Sequence, residues 1–176
     1  DWADTEVDPA TLLTLCCPQQ GAQINQRIGR KINVKKLRIR GIITPGVRSD
    51  QADVLPPACY RIIVYQDTQT NGAQSQGEDV MKTPTSATVQ GAFDSFMSLA
   101  NLGRFKILKD KIYRESNAIA FNDAAATGSV VNGGQIPFKF NLVFKKPVVV
   151  HFNSSNGGAG DGDVGDIVDN SFHVIA

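Results

Sequence analysis

Every second residue is large and apolar over a nine-residue segment in the last third of the chain. The apolar positions are Ile136, Phe138, Phe140, Leu142 and Phe144. The residues between them are Pro137, Lys139, Asn141 and Val143. A period of two over this length predicts a half-buried β-strand with one aromatic face. Because such a face must be covered by a second layer, the segment predicts a layered β-fold.

Seven further segments carry the patterns of strands. Tyr60–Gln66 is apolar on both faces, which predicts a central strand. In Arg30–Thr44 the apolar phase changes between Val34 and Leu37, and such a change predicts a bulge near Lys35–Lys36. The remaining candidate strands are Thr11–Cys16, Arg104–Leu108, Lys111–Ile119, Val148–Phe152 and Asn170–Ala176.

Turn-rich segments separate these strands, and only one helix is predicted, at Val89–Leu99. The predicted loops are Asp67–Thr88, Asn122–Gly134 and Asn153–Gly165. Eight short strands in 176 residues favour a single all-β domain, residues 1–176. The strand count matches a single jelly-roll sandwich of two four-stranded antiparallel sheets. A barrel is an alternative, as is an immunoglobulin-like sandwich, although the latter's Cys…Trp…Cys spacing is absent because the only Trp is Trp2.

Positive and negative charges occupy different parts of the chain. The 18 Lys and Arg residues nearly balance the 17 Asp and Glu residues, for a net charge of +1. Residues 1–26 contain four acids and no base, whereas residues 27–48 contain eight bases and no acid. A smaller basic cluster lies at 104–114, and the last 27 residues contain four acids and no Lys or Arg. The near-neutral total excludes a highly basic domain but not a surface on which cations are collected.

One face of the long second strand is predicted to carry a row of cations. Lys36, Arg38 and Arg40 share one phase of the strand, and Leu37 and Ile39 share the other. Cations two residues apart lie roughly 7 Å apart and can follow a phosphate backbone without reading bases. The alternatives are a solvated strand face or contacts with acids of a neighbouring subunit. The nearby aromatic residues Tyr60, Tyr65 and Phe105 are candidates for base stacking, although core packing is favoured for each.

The sequence predicts no enzyme. Its two histidines, His151 and His173, lie in candidate strands, and no nucleophile-elbow, zinc-protease, P-loop or dinucleotide-binding motif occurs. The acidic loop Asp161–Asp166 fails the EF-hand spacing, so no metal or cofactor is predicted. Without a CxxC pair, the three cysteines fit small apolar fillers, while a pairing of Cys59 with either of the other two stays open. No run of 18 apolar residues is present, so no membrane insertion is predicted.

Four ordered segments resemble the capsid proteins of small circular Rep-encoding single-stranded DNA viruses, the circovirus-like group. Within the first segment, Gln26–Lys31 is followed by Leu37–Gly41. The others are Arg61–Gly72, Arg104–Lys111 and Asp169–Phe172. The resemblance spans residues 12–176, nearly the whole chain.

The resemblance implies a viral coat protein with a jelly-roll fold that assembles into a small icosahedral T=1 shell of 60 copies around a single-stranded DNA genome. It implies the virion as location, the host nucleus during assembly if an upstream basic arm exists, and a host receptor for which a glycan is one candidate. The residues it singles out for nucleic-acid contact are Arg27, Arg30, Lys31, Lys36, Arg38 and Arg40. Family members usually begin with an Arg/Lys-rich arm, which residues 1–26 lack. Either the arm lies upstream of Asp1 or this member has none, and the absence of an initiator Met favours the first.

Two other functions are compatible with the sequence. One is the coat protein of a small RNA virus or satellite virus, which also uses a single jelly roll. The other is a carbohydrate-binding jelly-roll module, against which stand the single Trp and only three Tyr, because sugar-binding platforms need exposed aromatic rings.

Overall fold

Two antiparallel β-sheets, of four and three strands, make up the described part of this computed structural model, residues 13–44, 59–82, 95–114, 135–153 and 162–175. The strands are β1 (Leu13–Leu15), β2 (Lys31–Ile43), β3 (Cys59–Asp67), β4 (Phe105–Arg114), β5 (Ile136–Phe152), β6 (Ile167–Asp169) and β7 (Ser171–Ile175). The one α-helix in these ranges, α1 (Gly77–Val80), has four residues. No helix among the described residues is long and apolar enough to cross a bilayer. The predicted all-β class is confirmed, and the second sheet has three strands in this part of the chain where four were predicted.

The strand order is β1-β7-β3-β4 in the four-stranded sheet and β2-β5-β6 in the three-stranded sheet. The predicted central strand is confirmed, because β3 lies between β7 and β4 and is buried from Ile62 to Asp67. In the other sheet, the longest pairing of strands joins β2 and β5. That ladder runs from Lys31 opposite His151 to Ile43 opposite Ile136.

A bulge divides the ladder between β2 and β5 where the sequence predicts one. The register shifts between Val34 and Lys36, so that residues 144–147 of β5 face only Lys35. Val34 and Leu37, three residues apart, are both buried as a result. The bulge therefore keeps the apolar side chains of both halves of β2 on the same side of the sheet.

Two pairs of predicted strands are joined in the structure. Ile136–Phe144 and Val148–Phe152 belong to one strand, β5, because Pro147 lies in the bulge, where its missing N–H breaks no ladder bond. Strand β4 likewise continues through Asp110, while residues 115–119 lie outside the described ranges. Arg61 on β3 donates two hydrogen bonds to the Asp110 carboxylate, of 2.9 and 2.5 Å. These bonds lower the pKa of Asp110 and let an acid sit within the strand.

The predicted helix Val89–Leu99 is wrong over its described end, residues 95–99. Met97 pairs in antiparallel fashion with Met81. On either side of that bridge, the Lys82 amide donates to the Phe96 carbonyl at 2.7 Å and the Ser98 amide to the Val80 carbonyl at 2.9 Å. A neighbouring segment thus satisfies backbone groups that a helix would satisfy internally. A 3₁₀ turn follows at Leu99–Asn101.

The core lies between the two sheets. Phe140, Val150 and Phe152 of β5 contribute to it from one sheet, and Phe172 and Val174 of β7 from the other. A smaller cluster of Tyr65, Val80 and Phe105 lies on the opposite face of the four-stranded sheet, with Met81 and Met97 packed against it. Segments between β3 and β4 therefore cover that sheet on its outer side. The described residues place no corresponding layer over the outer face of the three-stranded sheet, where alternate β2 and β5 residues are exposed.

We expect Phe140→Ala to lower the free energy of unfolding by about 3–5 kcal/mol, because it removes a buried aromatic ring from the core. Phe140 is 3% exposed and its ring lies 5.5 Å from that of Phe138. The measurement is equilibrium unfolding in urea. Val143→Ala is the matched control on the same strand, since Val143 is 67% exposed and its loss should cost under about 0.5 kcal/mol. A loss below about 1 kcal/mol for Phe140→Ala would show that the faces of β5 are reversed.

Candidate nucleic-acid interface

Lysine and arginine side chains collect on the outer face of the three-stranded sheet. Lys36, Arg38 and Arg40 are exposed on β2, and Leu37 and Ile39 between them point towards the core. Arg40 lies directly opposite Lys139 of β5, which is also exposed. The outer surface formed by Lys36, Arg38, Arg40 and Lys139 is called the cationic face below. The predicted placement of the three β2 cations on one exposed face is confirmed.

The cationic face concentrates like charges. Arg40 and Lys139 are cross-strand neighbours, and like charges in that position repel each other. No acid of the described ranges forms an ion pair with any of the four cations. The residues opposite Lys36 and Arg38 are Val143 and Asn141, which carry no charge. The face therefore presents a positive potential that an external anion would relieve.

The opposite end of the same sheet face is closer to neutral. Lys31 lies opposite His151, whose Nδ1 is 2.8 Å from the carboxylate of Asp169 on β6. Because of the bulge, Lys31 and Lys36 lie on the same side of the sheet even though five residues separate them. Among the described residues, positive charge without an ion-pair partner therefore extends along this face from Lys36 to Arg40 and Lys139.

The structure separates the six sequence-predicted contact residues into two groups. Arg30, Lys31, Lys36, Arg38 and Arg40 are exposed. Arg27 is buried, with 4% of its surface accessible. Its Nη1 donates to the Gly29 carbonyl at 2.9 Å, its guanidinium lies 4.3 Å from the centre of the Phe152 ring, and Nη2 is 4.0 Å from a carboxylate oxygen of Asp166. Arg27 consequently does not belong to the exposed surface, and its inclusion there is corrected.

Sequence reasoning also missed Lys139. Its position in the alternating segment indicates exposure, because it is out of phase with Phe138 and Phe140. What the sequence could not supply is the register that places it opposite Arg40. In contrast, nothing in the basic run distinguishes the buried Arg27 from its exposed neighbours, since it precedes the first strand residue of that run.

The candidate stacking aromatics do not lie on the cationic face. Tyr65 and Phe105 are 0% and 1% exposed and pack edge to face, with ring centres 5.7 Å apart. Tyr60 is half-buried on β3, in the other sheet. The expectation of core packing is confirmed for Tyr65 and Phe105, and the cationic face offers charge rather than aromatic platforms.

A buried polar network runs through the four-stranded sheet. His173 Nε2 is 2.6 Å from the Ser171 hydroxyl, and Nδ1 is 3.2 Å from the Thr14 hydroxyl. Thr70 donates to Ser171 at 2.6 Å, and the Tyr65 ring stacks on the imidazole with centres 5.1 Å apart. Burial lowers the pKa of His173 to about 4, so the ring is neutral at pH 7. The Ser–His distance fits a nucleophile and base, but both side chains are fully buried, which identifies the pair as structural.

An ion pair lies beside this network. Arg104 donates to both carboxylate oxygens of Asp67, at 2.9 and 2.7 Å. The Asp67 side chain is fully buried, whereas that of Arg104 is 32% exposed. The hydrogen bonds to Asp67 raise the pKa of Arg104. The pair fixes the junction between β3 and β4, and its charge is compensated internally.

The acidic loop and the cysteines form no metal cluster within the described residues. Asp161 lies outside those ranges, and Asp166 accepts a hydrogen bond from the Gly162 amide at 3.3 Å. Cys16, Cys17 and Cys59 are free thiols. Burial raises the pKa of Cys17 to about 12, which disfavours the thiolate that metals and electrophiles require.

No protein-family model matches the chain, and no curated protein matches its sequence. Functional inference therefore rests on the chain's own residues and geometry.

We expect the free energy of unfolding to fall as the pH drops from about 6.5 towards 4, because His173 is neutral in the folded protein and protonated in the unfolded chain over that interval. The lowered pKa corresponds to a loss of the order of 3 kcal/mol. Urea denaturation at a series of pH values measures the slope. His173→Gln should flatten the slope whatever its effect on absolute stability. The matched control is His151→Gln, which changes the exposed pair with Asp169 and should leave most of the pH dependence of the unfolding free energy in place. If His173→Gln showed the same pH dependence as wild type, His173 would not be its source.

Proposed function

We propose that this chain is a viral coat protein whose copies assemble into a small icosahedral shell around a single-stranded DNA genome. The observation that carries the proposal is the cationic face, a row of cations on a sheet whose other side is the core and to which the described part of the chain supplies no ion-pair partner. Its mechanism is association rather than catalysis, and its location is the virion. The circovirus-like resemblance of the sequence adds to this interpretation.

The order in which the strands pair supports the jelly-roll form of the sandwich. β1 pairs with β7, β2 pairs with β5, and β3 pairs with β4. These antiparallel pairs are nested, and successive pairs alternate between the two sheets. The Met81–Met97 bridge continues the nesting inside the loop between β3 and β4. A long antiparallel hairpin wound around a core gives this sequence of pairs, which is how a jelly roll is built.

The cationic face supports contact with a phosphate backbone rather than with bases. The cations of β2 are spaced roughly 7 Å apart along a strand, and Lys139 widens the row by one strand. Such a surface neutralises phosphates in any sequence and gives strongly salt-dependent binding. The same chemistry would hold RNA, so the nature of the packaged nucleic acid is an outcome of the experiment below.

Exposed apolar side chains support association between copies. Phe96, Leu99 and Leu102 lie within seven residues and are 83%, 78% and 52% exposed. Ile24 and Ile28, in the segment before β2, are 107% and 85% exposed. Apolar side chains grouped in two different parts of one chain favour head-to-tail contacts, which close into rings or shells when the rotation between copies permits.

We expect the triple variant Lys36→Ser/Arg38→Ser/Arg40→Ser to fold and assemble, but its shells should hold several-fold less nucleic acid than wild type. The reason is the loss of three phosphate contacts per subunit. Electron microscopy measures assembly, and the ratio of absorbance at 260 and 280 nm of purified shells measures nucleic-acid content. Digestion with DNase or RNase identifies what is packaged.

The matched control is Lys106→Ser/Lys109→Ser/Lys111→Ser, which removes three exposed lysines from β4 in the other sheet. We expect its nucleic-acid content to stay near wild type. Unchanged content in the β2 variant would assign packaging to other residues. A protein that remains monomeric at high concentration and moderate salt would overturn the coat-protein proposal itself.

A further inference from the structure

Three ionisable side chains form a row across the three-stranded sheet, at the end where β2 begins. Lys31 of β2 lies opposite His151 of β5, and His151 in turn lies opposite Asp169 of β6. Residues directly opposite each other in antiparallel strands point to the same face and lie about 5 Å apart. We propose that Lys31 and His151 form a subsite for a nucleic-acid phosphate, which extends the cationic face when the imidazole is protonated.

This row is open to solvent on the same side of the sheet as the cationic face. Lys31 is exposed, and the side chains of His151 and Asp169 are 49% and 35% exposed. The bulge at Lys35 puts Lys31 on the same side as Lys36, roughly 15 Å away along the strand. A phosphate backbone that follows the cationic face along β2 therefore continues over the row.

The carboxylate of Asp169 determines which nitrogen of His151 carries the proton. Nδ1 of His151 is 2.8 and 3.0 Å from the two carboxylate oxygens, and the His151 amide donates to one of them at 3.1 Å. Because a carboxylate only accepts hydrogen bonds, the neutral imidazole carries its proton on Nδ1. A second proton adds to Nε2, which forms no hydrogen bond within the described ranges. A phosphate oxygen can therefore accept from Nε2–H while the bond to Asp169 stays intact.

Protonation of the imidazole changes the net charge of the row by one unit. While the imidazole is neutral, the Lys31 cation is offset by the Asp169 carboxylate on the other side of His151. Once the imidazole is protonated, two cations are set against one carboxylate. The next pair of residues on this face, Asn33 and Val149, carries no charge. The charge of His151 therefore decides whether the row is neutral or attracts an anion.

The subsite couples nucleic-acid binding to the uptake of a proton. Imidazole is the side chain that changes its charge between pH 5 and 8, and the chain has two histidines. Since burial lowers the pKa of His173 to about 4, that ring stays neutral over most of this interval. Protonated His151 attracts a phosphate, and a bound phosphate favours protonated His151, so each strengthens the other. The inference rests on the proposal that the cationic face holds nucleic acid.

The anisotropy of an oligothymidylate that carries a pH-insensitive dye and no terminal phosphate monoester measures this coupling, because a monoester would itself titrate near pH 6. At low salt, the wild-type protein should bind at least about threefold more tightly at about pH 5.5 than at about pH 8. The slope of log K against log salt should steepen by about 0.7 at the lower pH, as expected for one more phosphate contact with a single strand. Calorimetry in two buffers of different ionisation enthalpy should show proton uptake on binding.

Two variants and one control assign the coupling to the row. His151→Gln should reduce the ratio of affinities at the two pH values to below about 1.5 and abolish proton uptake. Asp169→Asn should bind more tightly than wild type at about pH 8, because it removes the carboxylate that offsets the lysine of the row; a variant that only damaged the fold would bind more weakly. The control, Lys106→Ser/Lys109→Ser/Lys111→Ser on β4, should keep the wild-type ratio.

The outcomes separate failure of the subsite from failure of the proposed function. Equal binding at both pH values would overturn the subsite and leave the cationic face as the proposed nucleic-acid surface. A pH dependence that persists in His151→Gln would also overturn the subsite, because another group would then be its source. If the oligonucleotide did not bind at either pH, both the subsite and the nucleic-acid role of the cationic face would be overturned.

Discussion

The ladder between β2 and β5 is the constraint on which the rest of the described structure depends. Both strands have one apolar face, so each can be buried only if the two are paired in phase. The bulge at Lys35 shifts the alternation of inward and outward side chains in β2 by one residue, so that Val34 and Leu37 are both buried. Without it, half of β2 would turn its isoleucines outward and its cations inward. The shift that turns the apolar side chains of both halves of β2 towards the core therefore also places its cations on the outer face.

The two sheets are covered unequally, and this determines where charge is left uncompensated. Segments between β3 and β4 cover the outer face of the four-stranded sheet, where Asp67 pairs with Arg104 and His173 lies within hydrogen-bond distance of Ser171 and Thr14. A buried carboxylate such as that of Asp67 needs an ion-pair partner, because removing an unpaired charge from water costs much free energy. On the outer face of the three-stranded sheet water solvates the cations, so Arg40 and Lys139 can lie opposite each other with no acid of the described ranges paired to either. Whether a charged side chain has an ion-pair partner therefore depends on where the fold places it. The total of acids and bases in the sequence does not decide this.

Much of this fold follows from the sequence because hydrophobic period and phase are local properties. The period-two pattern at Ile136–Phe144 predicts β5, and the change of phase in β2 predicts the bulge. The incorrect helix at its described end, residues 95–99, shows the limit, since Met97 takes its backbone partners from the segment at Met81. Register is equally non-local, which is why the juxtaposition of Lys139 with Arg40 and the burial of Arg27 beneath Phe152 could not be read from the chain alone. Local patterns determine which residues face outward, and long-range pairing determines which of them meet.

A near-neutral chain with a strongly cationic face is a consistent design for a protein that holds a polyanion reversibly. Uncompensated cations on a rigid sheet repel one another, and that repulsion is the electrostatic energy that phosphates would relieve. If every cation had a fixed, buried partner, as Arg104 has in Asp67, exchange with phosphate would require a desolvated carboxylate to be left unpaired. Cations on a solvated sheet face avoid this difficulty, because water replaces the anion when it leaves. The grouping of bases in residues 27–48 is therefore physically meaningful, because part of it lies on β2, where alternate side chains reach solvent and can exchange water for an anion without leaving a buried charge unpaired.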